Sequence, residues 1–307
     1  MSAAVSEVTI TVAELAELLD GARTGGGSLR LLDVRYDPAA GTGREEWAQG
    51  HIDGAVHVDL PAELSRPPRP GEGRHPLPGR AELQEAARRW GIGQDSDVVV
   101  YDARSGLSAA RAWWLLRWGG LRSVRILEGG LPAWLAAGHA LSTEPSEPPP
   151  GDVVLPGGRL PVLDAAAAAE LGRDGRLLDA RAATAYESGH IPGARSAPAA
   201  ENTADGGVLR PADVLRRRYA ALLRDPVPDG DETVGVYCGS GVSAAFQAAV
   251  LTDLGIPVAL YPGSWSEWAA DGTQPVETGA DPRPLAPLPH HDATTRAEPR
   301  AEEGRRP

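Results

Sequence analysis

The segment Gly235-Val236-Tyr237-Cys238-Gly239-Ser240-Gly241-Val242-Ser243-Ala244-Ala245 changes its periodicity half-way along. An apolar run suited to a buried strand enters a loop of small residues, and Val242, Ala245, Phe246, Ala249 and Val250 leave it at helical spacing. Cys238, the only cysteine of the 307 residues, therefore sits at a strand-to-helix turn and faces the first N–H groups of a helix. Those groups lack intrahelical partners and carry the positive end of the helix dipole, which favours thiolate over thiol. Gly239 and Gly241 let the backbone close around a bound atom. A lone cysteine is usually a small core residue, but a core thiol needs no glycine-rich loop around it. The residues read as a nucleophile.

The same pattern occurs earlier in the chain. Val100-Tyr101-Asp102, followed by Ser105-Gly106-Leu107-Ser108-Ala109-Ala110, has one more residue in its loop and Asp102 in place of the cysteine. Three further blocks recur in the same order, at an offset of about 140 residues. Leu31-Leu32-Asp33-Val34-Arg35 returns as Leu177-Leu178-Asp179-Ala180-Arg181, and Gly50-His51-Ile52-Asp53-Gly54-Ala55 as Gly189-His190-Ile191-Pro192-Gly193-Ala194. Leu127-Glu128-Gly129-Gly130-Leu131-Pro132-Ala133-Trp134 matches Leu260-Tyr261-Pro262-Gly263-Ser264-Trp265-Ser266-Glu267-Trp268. The chain is a tandem duplication.

Each copy alternates short apolar runs with helical patterns. Strands are expected at 29–34, 98–101 and 124–127, then near 177–179, 234–237 and 258–261. Helices are expected at 81–90 and 108–118, then near 165–171, 213–223 and 242–254. Thr11 with Glu14 forms a capping-box signature ahead of a further helix. The fold class is α/β, two repeated domains that are each a parallel sheet flanked by helices. The boundaries read as a first domain over 1–141, a Pro- and Glu-rich linker over 142–158 with little to bury, a second domain over 159–278, and a disordered tail over 279–307.

Composition narrows the function classes. One cysteine excludes an intrachain disulfide framework and a Cys-rich zinc site. A net charge of −12 argues against nucleic-acid or anionic-membrane partners. Met1 to Glu7 lacks the basic and apolar segments of a secretory signal, and no run reaches membrane-span length, so a cytoplasmic protein is expected. The sequence contains no lysine, so any cationic contact to an anion falls to arginine or protonated histidine.

The duplication with a cysteine in its second copy, the loop Cys238-Gly239-Ser240-Gly241-Val242-Ser243 and the paired Gly-His-Ile blocks resemble the two-domain rhodanese family of sulfurtransferases. The loop is most similar to the 3-mercaptopyruvate branch; the thiosulfate branch carries basic residues at the positions of Gly239 and Ser240. The resemblance implies that the first copy is catalytically silent and that Cys238 takes sulfane sulfur from a small anionic donor, 3-mercaptopyruvate or thiosulfate. The resulting persulfide would pass to a thiol, cyanide or a thioredoxin-like acceptor, without metal or organic cofactor. It also implies that residues 239–243 form the binding loop, with Ser240 as a proton handler and His75 close to the site.

The family's two donor-binding arginines have no counterpart here. Ala185-Tyr186 stands where an arginine precedes an aromatic, and the insertion that carries the second is missing. The stand-ins considered are Arg104, Arg181 and Arg195. The family's acidic partner for the histidine falls at Pro61, with Asp59 and Glu63 nearby, so a Cys/His/Asp relay is unsupported. His51 and His190 recur in both copies and read as structural, as do Asp33 and Asp179; Trp113, Trp114 and Trp118 read as core. Two other classes compete. A Cys-dependent phosphatase would need an arginine where Ala244 stands, and a persulfide relay module would explain the missing arginines without a donor of its own.

Overall fold

Val98, Val99 and Val100 are all buried, as are Leu177 and Leu178. Strands with no exposed face belong between layers of helices. The computed structural model describes residues 6–23, 28–37, 41, 43–104, 106–223, 232–270 and 272–283. Its first half runs β1 (Thr9–Ile10), α1 (Val12–Arg23), β2 (Leu29–Asp33), α2 (Arg44–Gln49), β3 (Ala55–His57), α3 (Leu60–Glu63), α4 (Arg80–Arg89), β4 (Asp97–Tyr101), α5 (Ala109–Gly119), β5 (Val124–Leu127) and α6 (Gly130–Ala136). The second runs α7 (Ala165–Arg173), β6 (Leu177–Asp179), α8 (Ala183–Ser188), β7 (Arg195–Ser196), two short 3-10 turns, α9 (Ala212–Leu223), β8 (Val234–Tyr237), α10 (Ser243–Asp253), β9 (Val258–Leu260) and α11 (Ser264–Trp268).

Two parallel sheets result, in the orders β1-β5-β4-β2-β3 and β7-β6-β8-β9. The α/β tandem architecture expected from the sequence is present. The duplication extends to register, since Asp33 pairs with Tyr101 as Asp179 pairs with Tyr237. It extends to side chains as well. The Tyr101 hydroxyl accepts from the Ile52 N–H and the Tyr237 hydroxyl from the Ile191 N–H, both at 3.1 Å. Arg35 bonds Asp33 and the Gly50 carbonyl, and Arg181 bonds Asp179 and the Gly189 carbonyl. His51 and His190 each place Nδ1 against the carbonyl four residues earlier, Trp47 and Tyr186.

The long helices and central strands lie within a few residues of their expected bounds. The capping box forms as read: the Thr11 hydroxyl accepts from the Glu14 N–H, and the Glu14 carboxylate accepts from the Thr11 N–H at 2.9 Å. The elements not anticipated, β1, β3, β7 and the short helices α2, α3, α6, α8 and α11, are too brief to show a period.

Two expectations need correction. The linker is part of the core: Val153 and Leu155 are fully buried, and Gly151 and Val153 bond the backbone of Arg88 and Ile92. Residues 279–283, assigned to the tail on composition, pack against β7, where Asp281 pairs with Arg195. The rest of that tail, 284–307, lies outside the described residues.

The halves share one interior. α5 packs on α10, and the largest buried apolar cluster joins Trp113 and Leu116 to Ala245 and Phe246. Trp114 is buried with them and stacks on half-buried Trp118. This joint brings the first half against the Cys238 loop. Leu155→Ala should cost about 2–5 kcal/mol by urea denaturation, whereas truncating its exposed neighbour Val154 should change stability by less than about 0.5 kcal/mol. A small effect at Leu155 would contradict the linker's place in the core.

Candidate active site

Cys238 directly follows β8, at the carboxyl edge of its sheet, where ligand sites of open α/β folds gather. Its N–H donates to the Ser264 hydroxyl (3.1 Å), its carbonyl accepts from the Trp265 N–H (2.9 Å), and the Gly239 carbonyl accepts from the Ser266 N–H (3.0 Å). These bonds seat the loop on the turn that opens α11. The Gly241 N–H then points at Cys238 Sγ, 3.1 Å away. Gly241 has φ +80°, and a Cβ there would come within 2.5 Å of the Pro262 carbonyl oxygen. Only glycine fits. The thiol is buried, at 2 % exposure.

Ser264 is the one non-glycine residue with positive φ (54°) among the described residues. Its counterpart is Gly130 (φ 56°), because the Leu131 N–H donates to the Asp102 carbonyl as the Trp265 N–H does to that of Cys238. A side chain at such a position costs about 1–2 kcal/mol. The hydroxyl gained accepts from the Cys238 N–H and donates to the Tyr261 carbonyl.

The other wall comes from the first half. Gly73 packs so closely on the Gly263 carbonyl that a Cβ would lie 2.5 Å from its oxygen, and the Arg74 N–H donates to the Ser266 hydroxyl at 3.0 Å. The next residue, His75, places Nδ1 2.9 Å from Ser240 Oγ and meets the Tyr36 ring edge-on. Burial, reinforced by the Arg111 and Arg74 guanidinium groups, pushes the His75 imidazole down to about 4. It is therefore neutral at neutral pH. Among the described residues no carboxylate backs it: Asp59 caps α3 through the Ala62 N–H, and Glu63 takes the Asp59 N–H and pairs with Arg89.

Behind the loop lies Arg111, fully buried in α5. It donates to three carbonyls from three segments: Leu64 (3.2 Å), His75 (3.0 Å) and Gly241 (3.2 Å). Among the described residues no carboxylate pairs with it. Burial pushes its guanidinium down to about 10, and the charge of an ionised Cys238 opposes that shift.

Of the residues singled out from sequence, the structure brings Ser240 and His75 to the Cys238 loop. It commits each of the three arginines to a carboxylate. Arg181 is held by Asp179 and the Gly189 carbonyl and lies over the Trp265 ring. Arg195 is held by Asp281 and the carbonyls of Leu222 and Arg283. Arg104 pairs with Asp37 beside the first copy's own loop. There Asp102 points its carboxylate into the turn and accepts from the N–H groups of Arg104, Gly106, Ser108 and Ala109 at 2.8–3.3 Å. Arg74, Arg111 and Ser264 were not anticipated. Among the described residues no group of three or more His, Cys, Asp or Glu could hold a metal ion, and no helix is long and apolar enough to cross a membrane.

The rhodanese-like domain family matches residues 11–137 and 164–271. The chain belongs to the rhodanese family. A Mycobacterium tuberculosis protein provisionally named as a thiosulfate sulfurtransferase, SseB, is 42 % identical over 289 residues, 89 % of this chain and 98 % of that one. A Pseudomonas aeruginosa protein provisionally named as a 3-mercaptopyruvate sulfurtransferase is 45 % identical over 276 residues, 84 % and 95 % of the two chains. The Escherichia coli 3-mercaptopyruvate sulfurtransferase is 36 % identical over 267 residues, 81 % and 92 %. The crystal structure of SseA from Escherichia coli superposes with a TM-score of 0.70 at 31 % identity, covering 84 % of this chain and 98 % of that one. Both rhodanese-like copies therefore have counterparts in proteins named for sulfur transfer.

The imidazole of His75 sets a pH prediction. The folded rhodanese pair holds it neutral down to about pH 4, while the unfolded chain takes a proton near the ordinary histidine value of about 6.5. The unfolded state thus binds more protons in that window, and stability falls as the pH drops from about 6.5 to 4. His75→Asn should flatten this part of the stability–pH curve measured by thermal melts. An unchanged curve would mean that the ring is protonated in the fold.

Proposed function

We propose that this rhodanese-family chain is a sulfurtransferase in which Cys238 is loaded by 3-mercaptopyruvate or thiosulfate and unloaded by a thiol, cyanide or a thioredoxin-like protein. The observation that carries this reading is the contrast between the two loops. In the first copy the cradle holds an anionic atom two bonds beyond Cβ, an Asp102 carboxylate oxygen. In the second, Cys238 Sγ is one bond beyond Cβ and, among the described residues, meets a single N–H, that of Gly241. A persulfide extends the side chain by one atom, so its outer sulfur is again two bonds beyond Cβ. A cradle of this kind suits a persulfide anion better than a bare thiol.

The steps balance without a cofactor. Cys238 thiolate attacks the donor sulfur, forming an S–S bond. From 3-mercaptopyruvate the C–S bond breaks, the leaving enolate takes up the proton of the donor's SH group, and pyruvate departs. From thiosulfate the S–S bond breaks and sulfite departs. An acceptor thiolate or cyanide then attacks the outer sulfur and returns Cys238 as thiolate. Ser240, backed by neutral His75, is the hydroxyl positioned to pass the donor's proton to carbon. Buried Arg111 and the N–H groups of residues 239–243 favour the anionic forms of the cysteine and its persulfide. A reactive thiol that must stay reduced places the work in the cytoplasm.

Incubating the protein with each donor and recording its intact mass tests the reading. One added sulfur atom is expected, absent from Cys238→Ser. If neither donor labels the chain while a partner protein loads Cys238, the role is that of a relay module. A second test addresses the buried charge. Arg111→Met should slow iodoacetamide alkylation of Cys238 at neutral pH by about tenfold yet leave the rate near pH 10 unchanged, where an ordinary thiol is ionised anyway. Arg111→Lys should retain more of the neutral-pH rate than Met; equal losses would assign Arg111 a packing role alone.

A further inference from the structure

We infer that Arg74, supplied by the catalytically silent first half, is the cation that receives the oxyanion end of the sulfur donor, a carboxylate or sulfonate. The inference deepens the sulfurtransferase reading and rests on it. With no lysine in the chain, an anionic donor must be met by arginine, protonated histidine or backbone N–H groups. His75 is neutral at the relevant pH. Arg181, Arg195 and Arg104 are each taken up by a carboxylate, with Asp179, Asp281 and Asp37 respectively. Arg111 is buried and fully engaged with carbonyls behind the loop.

Arg74 differs in each respect. Its side chain is exposed, and Nη2 lies 3.2 Å from where a Cβ on Gly239 would stand, directly beside the residue that follows the nucleophile. Among the described residues no carboxylate pairs with it. The acid closest in sequence, Glu72, is consumed elsewhere: Arg66 holds both its oxygens at 2.6 Å and the Arg69 N–H donates to it as well. The Arg74 backbone, by contrast, is fixed on the catalytic half by its bond to Ser266 and by the Gly73–Gly263 contact. A pinned backbone with an uncommitted guanidinium is the arrangement that can close on an incoming oxyanion, which the planar fork can grip at two points. Gly239, lacking a side chain, leaves room for both.

The test uses a pair of alkylating reagents that differ only in charge. Iodoacetate carries a carboxylate and iodoacetamide does not, and neither requires sulfur transfer. On the full chain at low salt, Arg74→Gln should slow the reaction of iodoacetate with Cys238 roughly fivefold, the scale of an exposed ion pair, while the iodoacetamide rate stays as it was. Arg74→Lys should keep most of the iodoacetate rate, and salt should erode the wild-type preference. In turnover, the donor KM of Arg74→Gln should rise by a larger factor than kcat falls. Equal slowing of both reagents, or no change in either, would overturn the inference. Because alkylation is read independently of donor loading, such a result is distinct from a failure of the sulfurtransferase reading itself.

Discussion

A full positive charge buried without a carboxylate is costly unless each nitrogen finds an acceptor and an anion lies close. Arg111 satisfies the first condition with one carbonyl per nitrogen, from Leu64, His75 and Gly241. One guanidinium thereby ties the end of α3, the 73–75 segment and the catalytic loop to α5. If it is removed, three carbonyls lose this donor at once, and the segment that carries Arg74 and His75 keeps only its Ser266 and Gly263 contacts to the Cys238 side. As for the second, the charge of an ionised Cys238 acts on the same guanidinium and opposes the effect of burial.

The duplication separates scaffold from function by comparison within one chain. Contacts found in both copies, such as Asp33–Arg35 with Asp179–Arg181, or Tyr101–Ile52 with Tyr237–Ile191, hold strand ends and turns in place and can carry no sulfur-specific role. At the nucleophile the copies diverge: the Ser264 hydroxyl on the Cys238 N–H has no equivalent where Gly130 stands, and the Gly241 N–H meets sulfur where that of Gly106 meets the Asp102 carboxylate. The first half has Asp102 where the second has its cysteine. It supplies the wall, the buried charge and the imidazole, each from a segment with no equivalent task in its own cradle.

Much of this was legible in the residues. Alternating apolar runs and helical periods determine the sheet and its long helices, and the glycines around Cys238 marked the loop, because both signals are local. What could not be read were the meetings between distant segments. Arg111 lies in the run Ala110-Arg111-Ala112-Trp113-Trp114, where a basic residue in a helix looks like a solvated one; in the fold the end of α3, His75 and the Cys238 loop meet its guanidinium. Arg181 and Arg195 looked available because their partners, Asp179 two residues away and Asp281 far beyond, are revealed only by geometry. The linker's average composition concealed two apolar residues, Val153 and Leu155, that are fully buried. Ser264 was obscured by a one-residue offset between the copies, which hid its correspondence with Gly130.

The two loops also show what reactivity costs. The first copy is the relaxed version: a glycine at the positive-φ position, and a carboxylate saturated by four N–H groups. The second departs from it at three points, with Ser264 in left-handed backbone, Sγ bonded to one N–H only, and a buried guanidinium without a carboxylate. Each departure lowers stability on its own, and all three converge on Cys238. Strain and unmet charge that accumulate around one atom, while the duplicate of the same turn avoids them, are the signature of a position kept for chemistry rather than for folding.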